Sequence, residues 1–272
     1  PLKMARPACV VVVGDVNSTL AAALTAKKIG LKVAHVEAGL RSFDETMPEE
    51  LNRVIIDRIS DVLFTTEASA NQNLAHEGVP RARIHFVGKV MIDTLRMNRS
   101  SIGRSKVLDS FSLRPRTYAV LTLHRPANVD DQAMLEDLMS TLQHIARKIQ
   151  VIFPVHPRTR DRLARFKKEK LTELKNLVFV DPLGYIDFMH LMEKARFVLT
   201  DSGGIQEETT ALKVPCLTLR DTTERPVTVT IGTNSIVGRE RNHILRAVEN
   251  ILKGNLKRGR IPPRWDGRAA MR

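Results

Sequence analysis

Short apolar runs alternate with amphipathic helical stretches along nearly the whole chain, and this alternation restricts the fold more than any other feature. The run Cys9–Val13 is apolar at every position, which is typical of a strand buried on both faces of a parallel sheet. Strands and helices that follow one another in this way predict an α/β fold in which helices cover parallel sheets.

The alternation falls into two series. The first predicts strands at 9–13, 32–36, 61–65 and 84–87, with helices over 19–29 and from Pro48. Residues 98–116 are rich in Ser, Gly, Arg and Lys and are interpreted as an interdomain connection. The second series predicts strands at 118–123, 151–155, 178–180, 197–200 and 216–219 and helices over 130–147, 158–168, 185–193 and 204–212.

We therefore predict two Rossmann-like domains, residues 1–99 and 100–272, that face one another across a cleft, with a terminal helix packing back on the first domain. Ligands of open α/β sheets bind beyond the carboxyl ends of the strands, so the loops after the strands should line that cleft. The first series begins at Pro1 with a strand that would lie in the middle of a doubly wound domain. The front of the first domain is therefore expected to be absent.

The formal charge of +13, from 43 Lys and Arg against 30 Asp and Glu, suggests nucleic acid, an anionic membrane or a phosphorylated substrate as a partner. Basic residues are scattered apart from a cluster at Arg258, Arg260, Arg264 and Arg268, and no basic stretch is interleaved with aromatics. The sequence has no signal segment and no apolar stretch of transmembrane length. We therefore expect neither a nucleic-acid nor a membrane partner.

The only two cysteines, Cys9 and Cys216, lie in apolar runs and are interpreted as small buried hydrophobic residues. Their number and placement indicate neither a disulfide framework nor a metal site. A reducing, cytoplasmic setting follows, and no metal or cofactor is expected.

The segment 200–208 has the strongest chemical signal, because it follows a predicted strand and opens a helix. Paired Gly203 and Gly204 allow the backbone to approach an anion, and the amides at the helix start supply donors for a diphosphate. A tight turn with Ser202 capping the helix is the alternative. Glu207 or Glu208 would repel a diphosphate, so a functional role for either would be to accept hydrogen bonds from sugar or ribose hydroxyls.

Arg225 follows the predicted strand at 216–219 within the segment 221–226. Its guanidinium could bind phosphate oxygens through two parallel hydrogen bonds, which lysine cannot match in geometry. Alternatively, it could simply pair with Glu224 or Asp221, and both interpretations stay open.

Two histidines follow predicted strands of the second series, His124 in His-Arg-Pro and His156 in His-Pro-Arg. A proline holds the preceding residue in extended geometry and ends the strand. A lone histidine is usually structural, but two at equivalent strand ends favour a role in proton transfer or ligand binding. Arg125 and His156 are therefore candidate substrate-binding residues beside His124.

Carboxylates occupy corresponding places in the first series. Asp15 and Glu37 follow two successive predicted strands. Glu49 and Glu50 instead lie directly after Pro48 at a helix start, where an acid ordinarily just interacts favourably with the helix dipole. Carboxylates that converge on one site shift each other's pKa values apart, which suits paired acid and base roles.

Six motifs, in order and across nearly the whole chain, together resemble the non-hydrolysing UDP-N-acetylglucosamine 2-epimerases. They are Gly-Asp-Val-Asn-Ser-Thr at 14–19, His-Val-Glu-Ala-Gly-Leu-Arg at 35–41, Pro-Glu-Glu-Leu-Asn-Arg at 48–53, His-Arg-Pro at 124–126, Asp-Ser-Gly-Gly-Ile-Gln-Glu-Glu at 201–208 and Thr-Glu-Arg-Pro at 223–226. One of these motifs would be a weak signal, whereas six in order are highly specific.

The resemblance implies a GT-B-like pair of domains and a homodimeric isomerase of cell-envelope polysaccharide biosynthesis that interconverts UDP-GlcNAc and UDP-ManNAc. It implies a catalytic set made of Asp15, Glu37, Glu49 and His124. It also implies that the UDP-sugar is bound by Ser202, Gly203, Gly204, Glu208 and Arg225, with Phe188 beside the uracil.

The chemistry implied by the resemblance is elimination of UDP to a 2-acetamidoglucal, followed by its re-addition. A hydrolysing epimerase, a GT-B glycosyltransferase and a catalytically inactive UDP-sugar-binding fragment are the alternatives. Two departures from the family pattern are visible. An earlier segment with a phosphate loop and a basic catalytic residue has no match, and Lys89 replaces an asparagine common in the motif Gly-Asn-Val-Met-Ile-Asp-Thr. The change at Lys89 is interpreted as minor.

Overall fold

A computed structural model describes residues 2–163 and 176–272 of the chain. The chain forms two compact units. Unit 1 consists of Pro1–Arg96, Glu224–Val227 and Pro262–Arg272, and unit 2 of Met97–Thr223 and Thr228–Ile261. Each unit has its own parallel sheet covered by helices, which confirms the predicted α/β class.

Unit 1 contains a four-stranded sheet in the order β1-β2-β3-β4, with all neighbouring strands parallel. The strands are β1 (Cys9–Val13), β2 (Lys32–Ala38), β3 (Val62–Thr65) and β4 (Ile84–Phe86). The helices are α1 (Leu2–Ala5), α2 (Asn17–Lys28), α3 (Pro48–Ile59), α4 (Ala68–His76) and α5 (Val90–Met97). The predicted strands and the helix start at Pro48 are confirmed.

Strand β1 is an edge strand, and one of its faces is exposed. Val12 is buried against α2 and α3, but Val11 and Val13 are 63% and 57% exposed and Cys9 is exposed as well. The prediction that Cys9–Val13 is buried on both faces is therefore wrong: among the described residues, α2 and α3 pack on the Val12 side of β1, whereas Val11 and Val13 are exposed. Cys216 is buried as predicted, and burial raises the pKa of its thiol to about 12.

The last eleven residues, 262–272, belong to unit 1 and form turns rather than the predicted terminal helix. Two prolines at its start and Gly267 in a left-handed conformation disfavour a helix there. Trp265 anchors the segment, since it is almost fully buried and its indole N–H donates to the carbonyl oxygen of Thr66 at 3.0 Å. The Asp93 carboxylate accepts hydrogen bonds from the backbone of Ala269 and Ala270.

Unit 2 contains a six-stranded parallel sheet in the order β10-β9-β8-β5-β6-β7. The strands are β5 (Tyr118–Thr122), β6 (Gln150–Pro154), β7 (Leu177–Val180), β8 (Phe197–Thr200), β9 (Cys216–Thr218) and β10 (Asn234–Ile236). Successive strands extend the sheet outward from β5 to β7 on one side and from β8 to β10 on the other. The order therefore reverses between β5 and β8, which is the switch point where doubly wound sheets bind ligands.

The remaining helices cover this sheet and its connections. They are α6 (Arg99–Gly103), α7 (Val107–Ser110), α8 (Pro126–Val129), α9 (Gln132–Ala146), α10 (Pro157–Leu163), α11 (Tyr185–Lys194), α12 (Gly203–Leu212), α13 (Pro226–Thr230) and α14 (Arg241–Leu252). Two short helices of unit 2, α6 and α7, lie within residues 98–116, which were predicted as a connection. The predicted helix over 158–168 begins at Pro157 and is described to Leu163; its remainder lies outside the described residues.

The core of unit 2 lies between the sheet and helices α9 and α14. Leu121, Phe153 and Leu199 from the sheet pack with Leu138 and Val248 from the helices. In the part of the chain that the structure describes, no helix combines the length and hydropathy needed to cross a bilayer.

Candidate active site

His124 and Asp201 meet at the switch point of unit 2. The Asp201 carboxylate lies 2.9 Å from Nδ1 of His124 and is completely buried. It also accepts hydrogen bonds from the backbone N–H groups of His124 and Arg125 and from Nδ2 of Asn128. Burial would raise the pKa of Asp201, but the hydrogen bonds and charge of His124 and these amides outweigh it and lower that pKa.

This arrangement fixes the imidazole of His124. Because Nδ1 faces a carboxylate, it carries a proton, and Nε2 is the nitrogen that can accept or donate a proton toward a ligand. The side chain is 35% exposed, so a ligand can reach it. A buried carboxylate would also stabilise the imidazolium that forms when Nε2 takes a proton.

The other two candidates near His124 have different surroundings. The ring of His156 lies 5.6 Å from that of His124 between centroids, is exposed, and accepts a hydrogen bond at Nδ1 from the backbone of Arg158. Arg125 is the N-cap residue of α8 and is half-buried. Both therefore lie beside His124 at the carboxyl ends of β5 and β6, as predicted.

Helix α12 begins directly after β8 with an arrangement suited to an anion. Ser202 is its N-cap residue, but its side chain makes no capping hydrogen bond, so the alternative of a Ser202-capped turn is wrong. Gly203 and Gly204 form the first turn without left-handed backbone angles, so conformation does not demand glycine there. The N–H groups of a helix's first turn have no acceptor within the helix, so those of the α12 start could donate to a bound anion.

Acidic and aromatic side chains accompany this helix start. Glu208 is 7% exposed, and burial together with the Glu208 charge raises the pKa of Tyr185 on α11 to about 12. Phe188 lies one helical turn beyond Tyr185 and is half-buried. Thr223 donates to Oε1 of Gln206 at 2.7 Å, which ties the loop after β9 to α12.

In unit 1, Asp15 follows β1 and is paired with a buried arginine. Nε and a terminal nitrogen of Arg53 lie 2.9 and 2.8 Å from Oδ2 of Asp15. The Asp15 backbone carbonyl accepts a hydrogen bond from Asn52 on the same helix, α3. The Asp15 side chain stays 26% exposed, so its second oxygen can serve a ligand.

The neighbours Glu49 and Glu50 have different environments. Glu50 is buried, pairs with Arg53, and accepts hydrogen bonds from the backbone N–H groups of Ser42 and Phe43. Burial would raise the pKa of Glu50, but these amides and Arg53 lower it. Glu50 therefore holds the turn in which Phe43 adopts a left-handed conformation, whereas Glu49 is half-buried.

Glu37 lies within the carboxyl end of β2 in an unusual conformation. Its φ of 73° is left-handed, and the pairing of β2 with β3 shifts register between Val36 and Ala38 around it. A left-handed non-glycine residue in a strand bulge is costly and is found most often at functional sites.

Two cations hold the Glu37 carboxylate. Nζ of Lys89 lies 2.8 Å from Oε1, and a terminal nitrogen of Arg225 lies 3.5 Å from Oε2. Burial would raise the pKa of Glu37, but Lys89 and Arg225 outweigh burial and lower it. Of the two alternative partners of Arg225, Asp221 pairs with Arg239 instead. Lys89, interpreted from the sequence as a minor change, thus contacts a candidate catalytic acid.

A buried network supports both strand-end acids. His35 contacts Asp57 through Nδ1 at 2.6 Å and the carbonyl oxygen of Gly14 through Nε2 at 2.9 Å. Asp57 also accepts hydrogen bonds from Arg41 and from the backbone of Gly39. His35 thus ties the loop of Asp15 to the strand of Glu37.

Sequence reasoning did not assign roles to Asp201, Arg53, Lys89 or His35. For Asp201 the deciding feature is strand order, because Thr122 pairs with Thr200 in the sheet and places the residues after β5 and β8 side by side. Knowing that β5 and β8 are neighbours would have revealed it. Across the described ranges, no cluster of three or more His, Cys, Asp or Glu side chains could hold a metal ion.

A family model described as UDP-N-acetylglucosamine 2-epimerase matches residues 2–272. The chain belongs to this family. The family match confirms the resemblance carried by the six motifs, and the 2-epimerase fold agrees with the two parallel sheets.

Several 2-epimerases are similar to this chain over most of their own length. The UDP-N-acetylglucosamine 2-epimerase of Methanococcus maripaludis is 41% identical over 92% of this chain and 70% of the relative. The UDP-2,3-diacetamido-2,3-dideoxy-D-glucuronate 2-epimerase of Pseudomonas aeruginosa is 40% identical over 91% and 68%. The crystal structure of Methanocaldococcus jannaschii UDP-GlcNAc 2-epimerase with UDP-GlcNAc and UDP superposes with a TM-score of 0.89 at 42% identity, covering 99% of this chain and 76% of that one.

Proposed function

We propose that this chain is a non-hydrolysing 2-epimerase that interconverts UDP-GlcNAc and UDP-ManNAc. The observation that carries the proposal is Glu37, an acid in a left-handed conformation at a strand end, held between Lys89 and Arg225. A protein that only binds a nucleotide-sugar would not need such a group. Family membership over residues 2–272 supports the same reaction.

Nucleotide binding is assigned to the switch point of unit 2 and to Arg225. The start of α12 at Ser202, Gly203 and Gly204 would hold the diphosphate through backbone amides and the Ser202 hydroxyl. Arg225 would neutralise the departing diphosphate through its planar guanidinium. The remaining contacts with the UDP-sugar are assigned to Glu208 for hydroxyl groups, Phe188 for the uracil, and Arg125 and His156 for the sugar diphosphate.

The reaction must invert the configuration at C2 of the sugar, whose hydrogen is not activated by an adjacent carbonyl group. Elimination solves this problem: the C2–H electron pair forms a C1=C2 double bond, and the C1–O pair leaves with UDP. The proton goes to a protein base. Re-addition of UDP to C1, with protonation of C2 from the opposite face, then gives the epimer and restores every atom.

Proton transfer at the two faces is assigned to Asp15, Glu37, Glu49 and His124. Asp15 follows β1 and Glu37 lies at the carboxyl end of the neighbouring β2, and each is held by at least one buried cation. His124 is oriented by Asp201 so that Nε2 can exchange a proton. Positioned acids and bases of this kind typically contribute about 10²- to 10⁴-fold to a rate.

A second substrate has a specific observation in its favour. The Pseudomonas aeruginosa relative, named for a uronate with two acetamido groups, is almost as similar as the Methanococcus maripaludis relative, at 40% against 41% identity. Epimerisation at C2 needs the same chemistry in both sugars. The two candidate substrates are therefore compared by measuring kcat/KM for UDP-GlcNAc and for UDP-2,3-diacetamido-2,3-dideoxy-D-glucuronate. The substrate with the higher kcat/KM is the preferred one.

The proposal is tested by incubating the purified chain with UDP-GlcNAc and following products by NMR. UDP-ManNAc at equilibrium with UDP-GlcNAc is the expected result, and Glu37→Gln should slow its formation by about 10³-fold. Free ManNAc with UDP would indicate a hydrolysing epimerase, and turnover only with an acceptor would indicate a glycosyltransferase. UDP binding without any product would indicate a UDP-sugar-binding protein.

We also propose a cytoplasmic homodimer. The two cysteines are unpaired, which agrees with a reducing compartment. The dimer rests on the family resemblance, and light scattering of the purified chain would test it. A mass near the 30.6 kDa of one chain would contradict it.

A further inference from the structure

Lys89 is a fully buried lysine whose ammonium meets the Glu37 carboxylate. Its side chain is 0% exposed, and Nζ lies 2.8 Å from Oε1 of Glu37. Burying a lysine is costly unless a counter-charge is placed against it. A lysine on the surface would carry no such desolvation cost, so the burial of Lys89 indicates a role inside unit 1.

The backbone fixes Lys89 in this place. Gly88 has a φ of 96°, and a Cβ on it would collide with the carbonyl oxygen of Arg264. The N–H of Gly88 donates to the carbonyl of Thr65 at the end of β3, and the Lys89 carbonyl accepts from Ile92 as α5 begins. The ammonium is therefore delivered by a rigid strand-to-helix turn rather than by a mobile loop.

Three positively charged or ionisable groups face Glu37 from the elements around it. They are Lys89 before α5, Arg225 before α13 and His35 on β2. Lys89 is nearer than Arg225, at 2.8 Å against 3.5 Å, and contacts the other carboxylate oxygen. Lys89 therefore both stabilises the ionised form of Glu37 and fixes the orientation of its carboxylate.

We propose that Lys89 is a positioning residue that keeps Glu37 ionised, so that Glu37 begins the reaction as the base that removes the C2 proton. This inference rests on the proposed function and assigns one of the roles left open there. Glu37 becomes a neutral acid when it takes that proton. The group that protonates the opposite face must then come from Asp15, Glu49 and His124.

The test compares Lys89→Met with Lys89→Arg by the pH dependence of kcat for UDP-GlcNAc. Loss of the ammonium should raise the pKa of Glu37 and move the acid limb of the profile upward by about 1–2 pH units. The relative loss of kcat should therefore be larger at pH 6 than at pH 8, with KM little changed. Lys89→Arg should restore most of the wild-type profile.

Two comparisons separate this role from a structural one. Lys27→Met removes a cation from Asp61, another ion pair of unit 1 at 2.9 Å, and should leave the profile unchanged. In the Glu37→Gln background, Lys89→Met should cause no additional loss of kcat, because the two residues act as one unit. An equal loss at every pH, or an additive loss in the double variant, would overturn the inference.

A titration that needs no activity distinguishes failure of this inference from failure of the proposed function. Carbon-13 NMR of the Glu37 carboxyl, assigned with Glu37→Gln, should show a higher pKa in Lys89→Met than in the wild type. An unchanged pKa would overturn the coupling even in an active enzyme. A shifted pKa in a chain that does not epimerise UDP-GlcNAc would instead contradict the proposed function.

Discussion

The two units hold their candidate proton-transfer groups in opposite ways. Unit 1 places carboxylates against buried cations, as in Asp15 with Arg53 and Glu37 with Lys89. Unit 2 places a half-buried histidine, His124, against a buried carboxylate. In unit 1, Lys89 and Arg225 lower the pKa of Glu37, whereas in unit 2 the Asp201 carboxylate fixes the orientation of the His124 imidazole.

This difference indicates a division of labour. A carboxylate that starts ionised can accept a proton, and an imidazole backed by a buried aspartate can exchange one without moving. The partners therefore matter as much as the groups themselves, and the following substitutions test them in order of expected effect.

The largest effect is expected for Glu37→Gln, which removes the acid at the bulge of β2. If Glu37 is the base for C2, kcat should fall by about 10³-fold, within the range typical of acid–base groups. Steady-state assays with UDP-GlcNAc measure this fall in kcat. Glu45→Gln, an exposed acid in the same unit, is the control and should be indistinguishable from wild type. Equal activities of the two variants would refute the role of Glu37.

Asp201→Asn tests the opposite arrangement in unit 2. The amide can present its N–H side to Nδ1 and favour the wrong tautomer of His124, so kcat should fall by about 10²-fold with little change in KM. Asp130→Asn, which alters an exposed carboxylate paired with Arg158, is the matched control. A change confined to KM would show that Asp201 serves binding rather than orientation of the imidazole.

Glu49 and Glu50 provide a comparison within one helix. Glu50→Gln should lower the free energy of unfolding by about 2–3 kcal/mol, because it weakens hydrogen bonds to a buried charge. Glu49→Gln should leave stability near wild type and reduce kcat instead. Urea unfolding and steady-state kinetics separate the two effects. Equal destabilisation by both substitutions would contradict the different roles.

The smallest effect is expected for Arg225→Lys. Lysine retains the charge beside Glu37 but loses the planar fork that suits a diphosphate, so KM for UDP-GlcNAc should rise by about tenfold. Calorimetric titration with UDP provides a second measurement. Arg239→Lys, which alters an exposed pair with Asp221, is the control. Unchanged UDP affinity in Arg225→Lys would remove Arg225 from the nucleotide site.

Local sequence patterns predicted the strands and helices that carry the candidate site, but not their partners. Proline and glycine punctuation located the loops of Asp15, Glu37, His124 and Ser202. Which side chains meet there depends on strand order, which periodicity does not reveal. Asp201 became a partner of His124 only because β8 lies beside β5. Lys89 was missed because its partner is 52 positions away on another strand.

Exposure of β1 also escaped prediction, for a related reason. An apolar run predicts a strand but not whether a neighbouring layer covers both of its faces. Val11 and Val13 show the difference, since they continue the run of Val12 yet are mostly exposed. The short strand β10 and helix α14 lie where no alternation was recognised, and they complete the sheet and core of unit 2.

Solvent isotope incorporation tests the central claim most directly. The chain would be incubated with UDP-GlcNAc in heavy water, and the product examined by proton NMR and mass spectrometry. Proton removal and return by Glu37 and its partners predict deuterium at C2 of UDP-ManNAc, and its absence in Glu37→Gln. Formation of UDP-ManNAc that retains its original hydrogen at C2 would contradict elimination and the roles assigned to the acids of unit 1.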